Sequence, residues 1–182
     1  MLKKSLLASA VALATAMQVS NVSAAEQPRH FNVGVASFAT SIAYDDGWVS
    51  GTDTYGGLAL FFDGAINNNV AARLSIARQT HEDDSAEKLN ALEASVLLGT
   101  GMTHTGLKAY GSLGFYNETL EYYSFEEDFS GLMFGGGVGY NWRPVALELW
   151  LNIRETSDYE SFAGSGVDIF ALSAGLGLSA RF

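Results

Sequence analysis

From residue 31 onward, apolar and polar residues alternate with period two, and turn-forming residues separate the runs. This pattern predicts short strands that each carry one apolar face. Three runs are clearest. In residues 70–77, Val70, Ala72, Leu74 and Ile76 oppose Ala71, Arg73, Ser75 and Ala77. In residues 89–98, Leu92, Ala94, Val96 and Leu98 oppose Glu93, Ser95 and Leu97. In residues 145–154, Val145, Leu147, Leu149, Leu151 and Ile153 oppose Ala146, Glu148, Trp150, Asn152 and Arg154. Weaker runs cover residues 31–42, 55–62, 107–116 and 132–140. The first of these begins in phase with Phe31, Val33 and Val35 and then loses phase, which predicts a bulge. The last run ends the chain, with Phe170, Leu172, Ala174, Leu176, Leu178, Ala180 and Phe182 on one face and Arg181 on the other. Eight strands result, the smallest common size of a closed transmembrane barrel.

The connections divide into two kinds. Residues 63–69, 99–106 and 141–144 are short, whereas 45–54, 79–88, 117–130 and 155–167 are longer and polar. Short turns on the periplasmic side and longer loops outside are the habit of outer-membrane barrels, and three against four places both termini in the periplasm. Sixteen of the 20 acids fall in or beside the four longer connections; Glu26, Asp63, Glu93 and Glu148 are the others. The first 25 residues read as a signal peptide: Lys3 and Lys4, an apolar stretch, then small residues allowing cleavage after Ala24 or Ala25. That leaves residues 26–182 as one domain. Within it the longest run without Asp, Glu, Lys or Arg has 15 residues, 30–44, too short for the ~20 of a spanning helix. Only helices and closed barrels satisfy their backbones in lipid, so a membrane location implies a barrel. A soluble periplasmic β-protein ending in Phe is the competing fold. Without Lys3 and Lys4 the 10 basic residues fall to 8 against 20 acids, which speaks against nucleic acid as a partner. There are no cysteines, hence no disulfide or Cys-ligated metal.

The signal peptide, the eight short strands and the Gly-Leu-Gly-Leu-Ser-Ala-Arg-Phe182 ending together resemble the small outer-membrane β-barrel superfamily of OmpX/Ail-like and OmpA transmembrane-domain-like proteins. The resemblance implies an all-β, eight-stranded, antiparallel up-and-down barrel that is monomeric. It also implies assembly by the barrel assembly machinery, with Phe182, Leu178 and Leu176 as the assembly signal. It implies no single activity, because members include adhesins, serum-resistance factors, stress proteins and structural proteins.

The candidate chemistry is sparse. Arg73, Glu93, Lys108, Glu148 and Arg154 fall on inward faces, where an eight-stranded barrel has room only for side chains and buried charges must pair. They form either a structural salt-bridge plug or a narrow gated ion path. Tyr122, Tyr123 and Phe125 form an aromatic patch in an acidic loop, a candidate contact surface for a host or cell-surface ligand. Residues 82–84 and 126–128 are acidic clusters, read as solvated surface or as sites where a divalent cation bridges to lipopolysaccharide. His81, Ser85 and Asp83 can be written as the triad of a lipid A-modifying enzyme, but in a polar loop without a supporting pattern. The expectation is a protein without enzymatic activity or cofactor, structural or adhesin-like through acidic extracellular loops. Outer-membrane lipids and lipopolysaccharide are its expected surroundings, and a small gated channel is the alternative.

Overall fold

A computed structural model describes residues 27–164 and 166–182, so the signal peptide and its cleavage site at Ala24 or Ala25 lie outside the described residues. The strands are β1 (Phe31–Asp45), β2 (Ser50–Ala65), β3 (Val70–His81), β4 (Glu87–Thr100), β5 (Gly106–Tyr122), β6 (Phe125–Asn141), β7 (Val145–Arg154) and β8 (Asp168–Arg181). One helix, α1 (Ser157–Ala163), lies between β7 and β8. Each strand pairs antiparallel with the next, and β8 pairs back onto β1 from Asn32↔Arg181 to Asp45↔Asp168, which closes an up-and-down barrel of eight strands. Closure leaves no unpaired edge, and that is the condition for spanning lipid with strands. Three connections share one end with the chain ends of β1 and β8; the other four, including α1, form the opposite end.

Accessibility follows the pleat. Leu58, Leu60, Leu74, Ile76, Leu92, Val96, Leu113, Phe115, Phe134, Leu149, Leu151, Leu176 and Leu178 are all exposed on the outer surface, a belt that includes every strand but β1. Val33 and Val35 of β1 complete the ring. An apolar belt this extensive is compatible with a lipid surrounding.

The expected bulge in β1 is absent. Its residues alternate without a break from Phe31 to Thr40 and pair continuously with β2 from Phe31↔Gly64 to Asp45↔Ser50. The sequence loses phase there because the interior is itself aromatic: Phe38 points inward at 1% exposure while Ser37 faces out. Phe61, which blurs the pattern in β2, is likewise inside at 3%.

The longer connections are also shorter than their composition predicts. The third becomes a two-residue turn, Tyr123-Ser124, because β5 and β6 stay paired from Gly106↔Asn141 to Tyr122↔Phe125. The first shrinks to residues 46–49 and the second to 82–86; the fourth stays long and carries α1. Where a ladder rises into water both faces tolerate polar residues, so the alternation fades while the hydrogen bonding continues. At 17 residues each, β5 and β6 exceed the ~9–11 that a tilted strand needs to cross a bilayer.

Candidate functional site

The inward faces bring seven charged residues together in two groups. In the first, near the three-turn end, Arg73 Nε donates to Asp63 Oδ1 at 2.7 Å and Arg73 Nη2 to Asp63 Oδ2 at 2.8 Å. Arg73 Nη2 also reaches Glu148, and Nη1 donates to the Tyr110 hydroxyl at 2.9 Å. Lys108 Nζ joins the same two carboxylates, at 3.1 Å to Asp63 and 2.6 Å to Glu148. Two cations thus face two anions, the pairing that buried charge requires. The Arg73 guanidinium also lies 4.9 Å from the Phe61 ring centre and 4.7 Å from that of Trp150.

In the second group, Arg154 Nη2 donates to Glu93 at 2.7 Å and Nη1 to Glu118. The Ser75 and Ser173 hydroxyls reach Glu93 at 3.3 Å each. Here one guanidinium serves two carboxylates, and Glu118 Oε1 and both side-chain polar atoms of Gln79 are buried with no hydrogen-bond partner among the described residues.

Asp63 and Glu118 were not expected in these groups. Asp63 precedes Gly64 and reads as a turn residue, yet it lies within β2 directly opposite Arg73 of β3. Spacing two residues beyond the inward Phe61 is the signal that places it inside. Glu118 belongs by composition to the third longer connection, but that stretch is strand and Glu118 is fully buried.

Aromatic rings fill the rest of the section. Trp150 packs against Phe61 at 5.4 Å and Phe38 at 6.4 Å between ring centres. Glycines paired directly opposite on the adjacent strands make the space: a Cβ at Gly175 would lie 2.2 Å from the Trp150 ring, and one at Gly137 would lie 2.5 Å from the Tyr110 hydroxyl.

At the four-connection end, α1 lies across the mouth. Its buried Tyr159 stacks on Phe129 at 4.4 Å, and Phe162 meets Phe129 edge-on at 5.7 Å. Asp158 accepts from the Ser130 amide at 2.9 Å, and Glu155 from the Leu132 amide at 3.0 Å, so the helix is tied to β6. Beneath it lies a cavity of about 380 Å³.

The aromatic patch sits at the tip of the β5–β6 hairpin. Tyr123 is 82% exposed and Tyr122 meets it edge-on at 4.7 Å, while Phe125 leans toward Phe162 of α1 at 6.1 Å, so the patch runs on into the helix. Trp48, 96% exposed in the β1–β2 turn at the same end of the barrel, was not singled out by the sequence pattern. Its turn is held by Asp46 Oδ1, which accepts from the Trp48 amide at 2.8 Å and the Val49 amide at 2.6 Å. The Val49 and Trp48 amides hold the Asp46 carboxyl below the usual carboxylate range.

His81 Nδ1 accepts the backbone N–H of Asp83 at 3.2 Å, and the carboxylate beside Nε2 is Asp53 at 3.7 Å. In residues 126–128 the strand sends neighbouring side chains to opposite faces, and Asp128 accepts from Thr119 Oγ1 at 2.6 Å. In residues 82–84, Asp84 accepts from the Ala86 amide at 2.9 Å. Among the described residues no three His, Asp or Glu side chains converge on a metal position. Leu176, Leu178 and Phe182 are exposed on the outer face, and Arg181 points inward, donating to the Trp142 carbonyl at 3.0 Å.

Residues 7–182 match the family described as outer membrane protein beta-barrel domain. No curated protein matches the chain. Among solved structures, it is similar to Ail, the attachment invasion locus protein of Yersinia pestis, in complex with the heparin analogue sucrose octasulfate. That match has 16% identity and a TM-score of 0.55, and covers 85% of this chain and 99% of Ail. Neisserial surface protein A matches at 15% identity and TM-score 0.57, covering 86% of this chain and 100% of the other. OprG from Pseudomonas aeruginosa matches at 15% identity and TM-score 0.55, covering 86% and 98%. At these identities the likeness concerns the fold.

Proposed function

Since this chain belongs to the outer membrane protein β-barrel domain family, we propose that it is an outer-membrane barrel with a sealed lumen that acts through its outward end, in barrier integrity, adhesin-like surface contact, or both. On this reading residues 1–25 are removed as a signal peptide, the termini are periplasmic and the α1 end is extracellular. The mature protein is a monomer inserted by the barrel assembly machinery, for which Leu176, Leu178 and Phe182 are the signal. It lies among outer-membrane lipids and lipopolysaccharide, and it has no enzymatic activity.

The observation that carries this reading is the filled lumen. The Arg73, Asp63, Lys108 and Glu148 side chains are mutually paired and buried, with Arg73 packed against the Trp150 and Phe61 rings, so the outer surfaces and the mouth above this plug are what is left to act. At the α1 end the exposed aromatics Trp48, Tyr123 and Phe162 stand among acids, a surface suited to an apolar or cationic partner. The heparin analogue bound by Ail is a polyanion, and like charge makes such a ligand a poor match here.

Bacteria displaying the wild-type barrel are expected to adhere to a cationic, apolar-coated surface. Replacing Tyr122, Tyr123 and Phe125 by Ser should cut adhesion severalfold at equal surface abundance. Unchanged adhesion would refute the contact role of the patch. A small gated channel is the second reading; the unpaired Gln79 and Glu118 atoms favour it, because they make the upper lumen polar and incompletely satisfied.

A further inference from the structure

We propose that the cavity beneath α1 binds a small hydrophobic cation: an aromatic or aliphatic body bearing one ammonium or amidinium group. This goes beyond the surface-contact role, since the occupant enters the barrel mouth. The cavity measures about 380 Å³, within the ~300–1,000 Å³ of small-molecule sites. Ile42, Leu89, Leu120, Phe129 and Ile169 supply apolar walls, and α1 covers them. The charged residues of the lining are Asp46, Asp53 and Glu87, all acidic. His81 lies 3.7 Å from Asp53, and Tyr55 donates its hydroxyl to Glu87. Tyr159, also in the lining, is 5% exposed, and its hydroxyl is buried without a hydrogen-bond partner among the described residues. Apolar walls bind the body of the ligand, the carboxylates select its charge, and the orphan hydroxyl is available to a polar atom.

Calorimetric titration of the mature barrel in phosphatidylcholine nanodiscs with naphthylmethylamine tests this. Naphthylacetate serves as the anionic counterpart and empty nanodiscs as the background. The amine is expected to fill one saturable site, and the acetate to bind at least about tenfold more weakly. Replacing Asp46 and Asp53 by Asn and Glu87 by Gln keeps their hydrogen-bond acceptors and should weaken the amine about tenfold. Ala163→Trp or Val167→Trp, each filling the cavity from its rim, should abolish the site while the heat-dependent gel shift of the folded barrel persists. Amine binding no greater than to empty nanodiscs, equal binding of amine and acetate, or a site that survives the filling substitutions in folded protein would overturn the proposal. The comparison of amine with acetate on the wild-type barrel decides it even if the variants do not fold.

Discussion

Arg73 is held by two carboxylates, a tyrosine hydroxyl and two aromatic faces, so its loss leaves more behind than an empty space. Arg73→Met would face Asp63 and Glu148 with Lys108 alone, and breaking a buried pair in this way costs about 3–5 kcal/mol. The urea midpoint of the heat-modifiable gel band should fall accordingly, and an unchanged midpoint would show that the network is not stabilising. Gly175→Leu should destabilise by about 1–3 kcal/mol through overpacking against Trp150, with partial recovery when Trp150→Ala is added; absence of recovery would place the strain elsewhere. At this scale Arg73, Glu93, Lys108, Glu148 and Arg154 were legible because alternation alone assigns a side chain to the inner face. Asp63 and Glu118 were not. One is disguised by an adjacent glycine as a turn, and the other is a buried acid flanked by the polar Asn117 and Thr119, so no apolar outward stripe marks its face.

Among the elements, the β5–β6 hairpin departs furthest from its sequence pattern. Its acids and tyrosines look like loop composition, yet the ladder continues to Tyr122↔Phe125 and turns on two residues. Tyr123 takes a left-handed conformation there, at φ 53°, which costs a residue with a Cβ about 1–2 kcal/mol. Tyr123→Gly should therefore stabilise the hairpin, by up to about 1 kcal/mol after glycine's larger unfolded-state entropy, and slow hydrogen exchange of the amides flanking the turn. Faster exchange would mean that the tyrosine ring, through Tyr122, holds the tip together. Strand β8 was legible throughout. Its outer stripe is small or apolar from Phe170 to Phe182, and its inner side is alanine, glycine, serine and Arg181, with the glycines under Trp150 and Arg181 at the three-turn end. Helix α1 had no such signature: at seven residues it is too short for a helical period to emerge from the acidic stretch around it.

For the whole molecule, barrel closure, the apolar belt and the filled interior act together. The belt suits lipid, closure satisfies the backbone in that lipid, and Arg73 and Lys108 balance Asp63 and Glu148 across the lower lumen, where aromatic rings fill the remaining space. The protein should fractionate with outer membranes and show a heat-dependent gel shift, and recovery in the soluble periplasmic fraction would contradict the membrane location. The central claim, that the lumen is sealed, is tested most directly by single-channel recording of the refolded wild-type barrel in planar bilayers. The account predicts a quiet baseline under applied voltage, whereas reproducible unitary steps that change size in Arg73→Met or Arg154→Met would show that the charged interior conducts.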